Sequence, residues 1–161
     1  MPVIEIVTHI HSTAEICFDL SASIELHQLS TSRTNEKAIA GVTKGIIQLN
    51  ETVTWQATHF GIRQKLTSVI SRYERPHHFR DEQVKGAFKK FTHDHFFEDK
   101  KGFVIMTDRF EYASPLGIFG KIFNKLVLTN YLKKFLTERN QMIKEFAESG
   151  KWKELLDEKN Y

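Results

Sequence analysis

Residues 103–112, FVIMTDRFEY, and residues 128–146, LTNYLKKFLTERNQMIKEF, decide the fold because their apolar side chains repeat with different periods. The first segment alternates, which is typical of a β-strand with one buried face. The second has one apolar face with a 4-3-4-3-4 spacing, formed by Leu128, Leu132, Phe135, Met142 and Phe146 with Arg139 between them. That spacing predicts a long amphipathic helix. The chain therefore changes from strands to a helix near residue 114.

Further strands are predicted upstream of residue 103. Alternating segments cover residues 2–11, 51–60, 63–73, 78–86 and 90–98, with a short strand near 37–40. Turn residues separate these segments, including Gly61, Pro76, Gly86-Ala87 and Asp99-Lys100-Lys101-Gly102. Strands of about ten residues joined by tight turns predict an antiparallel meander.

Two short helices are predicted after the first strand, over residues 13–20 and 22–29. Ser12 precedes Glu15 at the spacing of a capping box, so Ser12 is the predicted N-cap of the first helix. The segment 21–23 supplies a cap for the second. The long helix is predicted over about 115–148, between a Ser114 cap and Gly150, with a short tail over 150–161.

This order of elements predicts a single α+β domain over residues 1–161, a length that suits one domain. A curved antiparallel sheet of about six to seven strands needs a partner for its inner face, and the long helix is the large candidate. We therefore expect a helix-grip fold, in which the sheet wraps the C-terminal helix and leaves room for a ligand.

Composition excludes several classes of function. The net charge is +3, with no dense basic run, so we expect no nucleic-acid partner. No segment approaches the roughly 18 apolar residues of a membrane span, so we expect no stable membrane insertion. Cys17 is the single cysteine and is interpreted as a small buried apolar residue in a reducing, cytoplasmic compartment. The glycines at 41 and 45 lack phosphate-loop spacing, and no cofactor is expected.

Two histidines stand out because residues i and i+2 of a strand share a face. His93 and His95 form such a pair, beside Phe91 and Phe97. Lining of the interior, acid–base chemistry and metal binding all remain open for the pair. A metal site needs three or four converging ligands, and the sequence indicates only two, so no metal is expected.

Asp81 shares its strand face with Phe79, Gln83 and Lys85. This polar row is a solvent face, a buried network or part of a catalytic site. If Asp81 is buried it needs a partner, for which Arg109 is the candidate. The acid–base candidates for any reaction are Asp81, His93, His95 and Glu111.

The start of the long helix is unusually apolar. Residues 115–135 contain four lysines and no acidic residue. Their apolar residues cover more than one helix face and include Leu116, Ile118, Phe119, Ile122, Phe123, Leu126, Val127 and Leu128. Such a segment covers a cavity, contacts a partner such as a second copy of the chain, or docks on an anionic membrane surface.

The central segment resembles a known motif. Arg75-Pro76, Phe79, Asp81-Glu82-Gln83-Val84-Lys85-Gly86, Phe88 and His93-x-His95-x-Phe97 are similar to a motif of small bacterial ligand-binding members of the START-related (SRPBCC) superfamily. This superfamily includes the birch-pollen allergen, polyketide cyclases and lipid-transfer domains. The resemblance covers residues 2–148, with Ala87 in place of the usual proline. It implies the helix-grip fold and no particular reaction.

The favoured hypothesis is binding of a small apolar or amphipathic ligand between the sheet and the helix, without catalysis. The expected ligand contacts are Trp55, Phe79, Gln83, Phe91, His93, His95, Phe97, Arg109, Phe119 and Phe123. The alternatives are a cyclase, dehydratase or hydrolase that uses the same cavity, and a protein-interaction or homodimerisation module that uses the apolar start of the helix.

Overall fold

The computed structural model describes residues 1–114, 127–157 and 161, and the structural statements below concern those residues. Within them, one antiparallel sheet has the strand order β1-β7-β6-β5-β4-β3-β2. The strands are β1 (Val3–Ile10), β2 (Lys37–Gly41), β3 (Thr52–His59), β4 (Ile62–Glu74), β5 (His78–Lys85), β6 (Lys90–Lys100) and β7 (Phe103–Ala113). The predicted meander is confirmed, and β1 joins it beside the last strand.

Three α-helices are described. Two short ones follow β1, namely α1 (Ala14–Ala22) and α2 (Ile24–Ser30), and the long helix α3 spans Thr129–Ser149. A 3-10 helix at Lys151–Glu154 follows α3. The sheet curves around α3, so the helix-grip prediction is confirmed. None of the described helices has an apolar stretch long enough to span a membrane.

The helix ends show where local sequence signals were accurate. Thr13, not the predicted Ser12, caps α1 by accepting a hydrogen bond from the Ile16 N–H at 3.3 Å. Ser23 caps α2 as predicted, and α3 ends at Gly150, which has a φ of 79°. Residues 115–126, where the helix was predicted to begin after a Ser114 cap, lie outside the described residues.

Irregularities in strand pairing accompany the curvature. The register shifts between Ala38 and Ala40 in β2 and at two places in the pairing of β4 with β5, next to residues 67/68 and 70/72 of β4. Extra residues of this kind bend a strand and increase its twist. The curved inner face packs on the buried side of α3, which includes Leu136, Arg139, Asn140, Ile143 and Phe146.

The core has two apolar clusters. In the first, the ring of Phe18 on α1 contacts Tyr73, Phe79 and Phe97 with centroid distances of 5.1–5.4 Å. The second gathers Ile4, Phe91, Phe110, Tyr112 and Leu136 near the other end of α3. Residues from both clusters form the wall of the cavity described next.

Candidate functional site

A cavity of about 540 Å³ lies between the inner face of the sheet and α3. Most of its wall is apolar, with Ile47, Val53, Trp55, Ile70, Phe79, Phe91, Phe110, Leu132 and Phe135 among the lining residues. Its size falls in the range typical of small-molecule sites, about 300–1,000 Å³. Polar side chains also line the cavity, and two groups of them define the candidate site.

Strands β5 and β6 form the first polar group. Asp81 pairs with His93 across the two strands, and Phe79 pairs with His95. Phe79 and Asp81 are two residues apart on β5, as are His93 and His95 on β6, so each pair shares one face of the sheet. That face lines the cavity. The ring of His95 is 2% exposed and stacks on Phe79 at a centroid distance of 4.1 Å. The sequence correctly placed both histidines on one inward face.

A second carboxylate completes this group. Asp108 on β7 is buried, and its Oδ1 lies 3.0 Å from His93 Nε2. The same oxygen lies 2.8 Å from His95 Nδ1, although the direction departs from that of a regular hydrogen bond. On the other side, Asp81 Oδ1 is 3.2 Å from His95 Nε2 and 3.6 Å from His93 Nδ1. Both imidazoles therefore lie between two carboxylates.

Helix α3 fixes Asp108 by direct contact. Asn140 Nδ2 donates a hydrogen bond to Asp108 Oδ2 at 2.5 Å. Buried Arg139 donates to the Ser21 carbonyl at 2.9 Å, and its Nη1 lies 3.6 Å from Asp108 Oδ1. Partners of this kind are required because an unpaired buried charge is strongly destabilising.

The network moves the pKa values of its members in different directions. Burial raises the pKa of Asp108, but the attraction and hydrogen bonding of His95 and His93 outweigh it, and the pKa lies well below its ordinary value. The pKa of Asp81 is also lowered, because the hydrogen bond from His95 and the nearby charges of both histidines outweigh burial. Both carboxylates are therefore ionised at neutral pH.

The two imidazoles respond oppositely. Burial lowers the pKa of His93, and the neighbouring charge of His95 lowers it further. For His95, burial also disfavours the charged form, but Asp108 and Asp81 outweigh it and raise the pKa. Paired groups with divergent pKa values are one way in which sites assign separate acid and base roles.

The same group has the composition of a metal site. One donor atom from each of Asp81, His93 and His95 lies within 4.8 Å of the others. The sequence indicated only the two histidines. The third donor depends on the register between β5 and β6, which local sequence patterns do not determine.

The second polar place lies beside Trp55. The ring of His27 stacks on Trp55 at a centroid distance of 4.1 Å, and His27 Nε2 is 3.5 Å from Glu36 Oε2. These two buried polar atoms have no regular hydrogen bond among the described residues. Burial raises the pKa of Glu36, yet the nearby His27 outweighs it and the pKa is lowered. This part of the largely apolar wall therefore has a carboxylate oxygen of Glu36 beside an imidazole nitrogen of His27.

Six predicted residues line the cavity: Trp55, Phe79, Asp81, Phe91, His93 and His95. Two others do not. The amide of Gln83 is hydrogen-bonded to the backbone of Phe88, at 2.7 Å and 3.3 Å, so its prediction as a ligand contact is wrong. Phe97 packs in the core against Phe18 and is absent from the cavity wall, which corrects its predicted role as well.

Arg109 and Glu111 lie on the outer face of the sheet. They alternate along β7 with Asp108, Phe110 and Tyr112, whose side chains are buried. Arg109 is exposed, so neither its predicted pairing with Asp81 nor its predicted ligand contact is correct. Glu111 does not reach the cavity either, which corrects its place among the acid–base candidates.

The remaining predictions concern the start of the long helix. Phe119 and Phe123 lie outside the described residues, as does most of the apolar segment predicted to cover the cavity or form a dimer. Asp108, Arg139 and Asn140 are residues that sequence reasoning missed. The signals were a charged residue on the apolar face of β7 and an arginine within the apolar face of α3.

Solved structures from several organisms are similar to this chain. The protein TTHA0849 from Thermus thermophilus has a TM-score of 0.73 and 14% identity, covering 89% of this chain and 95% of that chain. A START superfamily protein from Mycobacterium smegmatis has a TM-score of 0.69 and 10% identity, covering 89% and 97%. Ginseng major latex-like protein 151 from Panax ginseng has a TM-score of 0.65 and 17% identity, covering 91% and 97%.

This chain has a START-like fold. The START-like fold agrees with the resemblance carried by residues 75–97 of the sequence. No protein-family model matches the sequence, and no curated protein matches it. At these identities the likeness extends to the START-like fold alone, so function has to be argued from the cavity and its polar groups.

Proposed function

We propose that this protein binds a small apolar or amphipathic molecule in the cavity between the sheet and α3. The observation that carries the proposal is a largely apolar cavity of about 540 Å³ with polar side chains at several points of its wall. Apolar walls supply binding free energy through burial of ligand surface, and a few polar groups fix its orientation.

Each part of the wall has a distinct role in this proposal. Trp55, Phe79 and Phe91 offer large apolar surfaces to the ligand, and Phe119 and Phe123 keep their predicted role as further contacts. A ligand hydroxyl beside His27 and Glu36 would supply the hydrogen bonds that these buried atoms lack. An amphipathic ligand with one polar end fits these features better than a purely apolar one, because unpaired buried polar atoms are costly.

Native mass spectrometry tests the proposal directly. The purified protein is measured alone and after addition of fatty acids of several chain lengths and of aromatic polyketides. We expect one ligand per chain for at least one of these classes. If no compound of either class binds at concentrations up to its solubility, the proposal is wrong.

A matched pair of variants on α3 locates the binding site. Leu132→Trp enlarges a side chain that lines the cavity, whereas Lys133→Trp changes an exposed neighbour on the same helix. We expect Leu132→Trp to weaken binding at least tenfold and Lys133→Trp to leave the affinity unchanged. Equal affinities in the two variants would place the ligand elsewhere.

Acid–base catalysis in the same cavity is a second candidate function. The observation that favours it is the opposite shift of the pKa values of His93 and His95 beside the ionised Asp81. Such an enzyme would be of the cyclase, dehydratase or hydrolase type, with the cavity orienting the substrate. Asp81→Asn and His93→Gln would then abolish turnover of a bound substrate. Turnover that is unchanged in both variants would eliminate this candidate.

A further inference from the structure

We propose that Asp81, His93 and His95 bind a divalent first-row transition metal, such as Zn²⁺, at the polar end of the cavity. Two imidazoles and one carboxylate are a donor set that such metals prefer. This inference goes beyond the binding of an apolar ligand and does not depend on it.

The donor atoms are spaced as a metal requires. Asp81 Oδ1 lies 3.2 Å from His95 Nε2 and 3.6 Å from His93 Nδ1. In a tetrahedral site with bonds of about 2.0–2.1 Å, neighbouring donor atoms are roughly 3.3 Å apart. All three donors lie within 4.8 Å of one another, so side-chain adjustments would bring the wider pairs to the spacing of a tetrahedral site.

Without a metal, His93 Nε2 forms a hydrogen bond with Asp108 at 3.0 Å, and His95 Nε2 forms one with Asp81 at 3.2 Å. His93 Nε2 and His95 Nδ1 both face Asp108 Oδ1, at 3.0 Å and 2.8 Å. When both rings carry their proton on the side of Asp108, their other nitrogens present lone pairs toward the carboxylate of Asp81. A cation bound by these three lone pairs would replace the hydrogen bond between His95 Nε2 and Asp81. The 3.6 Å between His93 and Asp81 is too long for a hydrogen bond through a shared proton.

Asp108 acts as a supporting carboxylate. Histidines that bind metals usually donate their second ring N–H to a carboxylate, which fixes the ring orientation and the tautomer. Asp108 occupies that position for His93, lies 2.8 Å from His95 Nδ1 outside regular hydrogen-bond geometry, and accepts a hydrogen bond from Asn140 at 2.5 Å. Residues from β6, β7 and α3 thus preorganise the two histidines.

The charges favour an anionic ligand at the metal. With neutral imidazoles, Asp81, Asp108 and nearby Arg139 sum to one negative charge, and a divalent cation changes that sum to one positive charge. Three protein donors leave a coordination position for a further ligand, and these residues face the cavity. A molecule with a carboxylate, enolate or phenolate oxygen is therefore the class that the loaded site would take.

Metal binding is measured on the full chain after treatment with a chelator. Zn²⁺ alone is titrated by calorimetry, and Co²⁺ alone serves as a spectroscopic probe of the same site. We expect one Zn²⁺ per chain with a Kd in the micromolar range or lower, and visible absorption bands from four- or five-coordinate Co²⁺. A wild-type protein that binds neither ion would overturn the proposal.

Variants assign the donors. Asp81→Asn and His93→Gln should each weaken Zn²⁺ binding at least 100-fold and abolish the Co²⁺ bands, while Asp108→Asn should weaken it about 10–100-fold. The matched control is His78→Gln, because His78 is also a buried histidine that faces a carboxylate, Asp94, but on the outer face of the sheet. Binding retained by Asp81→Asn and His93→Gln, or lost equally in the control, would show an adventitious site and overturn the proposal.

A measurement on the wild type covers variants that fail to fold. Paramagnetic Co²⁺ shifts the ring protons of the histidines that coordinate it, and their number is read from the NMR spectrum of the loaded protein. We expect paramagnetically shifted ring-proton signals from two histidines, both of them buried. A spectrum with none, or with only the exposed His11, would contradict the assignment.

Discussion

The side chain of Gln83 and the backbone of Phe88 form two hydrogen bonds across the turn between β5 and β6. Gln83 Nε2 donates to the Phe88 carbonyl at 2.7 Å, and Gln83 Oε1 accepts from the Phe88 N–H at 3.3 Å. A Cβ at Gly86 would meet the side chain of Leu66 and lie 3.0 Å from Gln83 Oε1. Glutamine and glycine in this motif are therefore explained by the turn and not by ligand binding.

Replacement of Gln83 should reduce stability without affecting the cavity. We expect Gln83→Ala to lower the free energy of unfolding by about 2 kcal/mol, because two hydrogen bonds of about 1 kcal/mol each are lost. Lys85→Ala, an exposed position on the same strand, is the control and should change it by less than about 0.5 kcal/mol. Urea unfolding measures both. Equal stabilities of the two variants would mean that the amide has no structural role.

Substitutions at Phe97 and Phe79 should have similar effects on stability but different effects on ligand affinity. Both are buried, but Phe79 lines the cavity and Phe97 does not. Replacement by leucine should cost each variant about 1–2 kcal/mol of stability through lost packing. Only Phe79→Leu should also change the affinity for the ligand identified by native mass spectrometry. A comparable loss of affinity in Phe97→Leu would show that the cavity extends to Phe97 during binding.

Cys17 should be chemically inert in the folded protein. Burial raises the pKa of its thiol to about 12, and Asp99 and Glu148 add to the shift. Because the thiolate is the reactive form, a thiol reagent at pH 8 should leave native Cys17 unmodified and label it only after unfolding in urea. Rapid labelling of the native protein, followed by mass spectrometry, would contradict this prediction.

Asp94 should contribute a component of stability that depends on pH. Burial raises its pKa, but the hydrogen bonds from Arg80 and His78 outweigh burial and place the pKa below the ordinary value of 3.8. A lowered carboxyl pKa stabilises the folded state above the unfolded pKa, and this contribution is lost as the pH falls through the folded pKa. We therefore expect Asp94→Asn to be less stable than the wild type at pH 7.

The difference in stability between the wild type and Asp94→Asn should shrink as the pH falls below about 3.8, because Asp94 becomes protonated in the wild type. Urea unfolding at a series of pH values measures this difference. A gap that is constant from pH 7 to the lowest pH at which both proteins fold would contradict the assignment.

Local periodicity predicted the fold well because it reports which side chains are buried. The sequence pattern before residue 113 predicted all seven strands to within two residues at each end, and the inward pair His93 and His95 followed from it. Contacts between strands were less predictable. The network depends on Asp81 facing His93 and on Asp108 facing His95, and these pairings come from the register of β5, β6 and β7.

The error at Arg109 has the same origin. Arg109 is the partner that opposite charge predicts for Asp81, whereas the burial pattern of β7 places the neighbouring Asp108 inside. Two buried carboxylates are not expected to lie near each other, because their charges repel. Here both imidazoles lie between Asp81 and Asp108. The shift from Ser12 to Thr13 at the α1 cap is a one-residue boundary error, as is common at helix ends.

The alternation of His93, Asp94 and His95 along β6 also protects the sheet against incorrect pairing. A slip of one residue would turn Asp94 toward the cavity and both histidines outward. Asp94 would then join Asp81 and Asp108 beside the single Arg139, and Arg80 would remain outside without its carboxylate. The mispaired sheet would contain three neighbouring buried negative charges, so these polar residues select one register among competing folded forms.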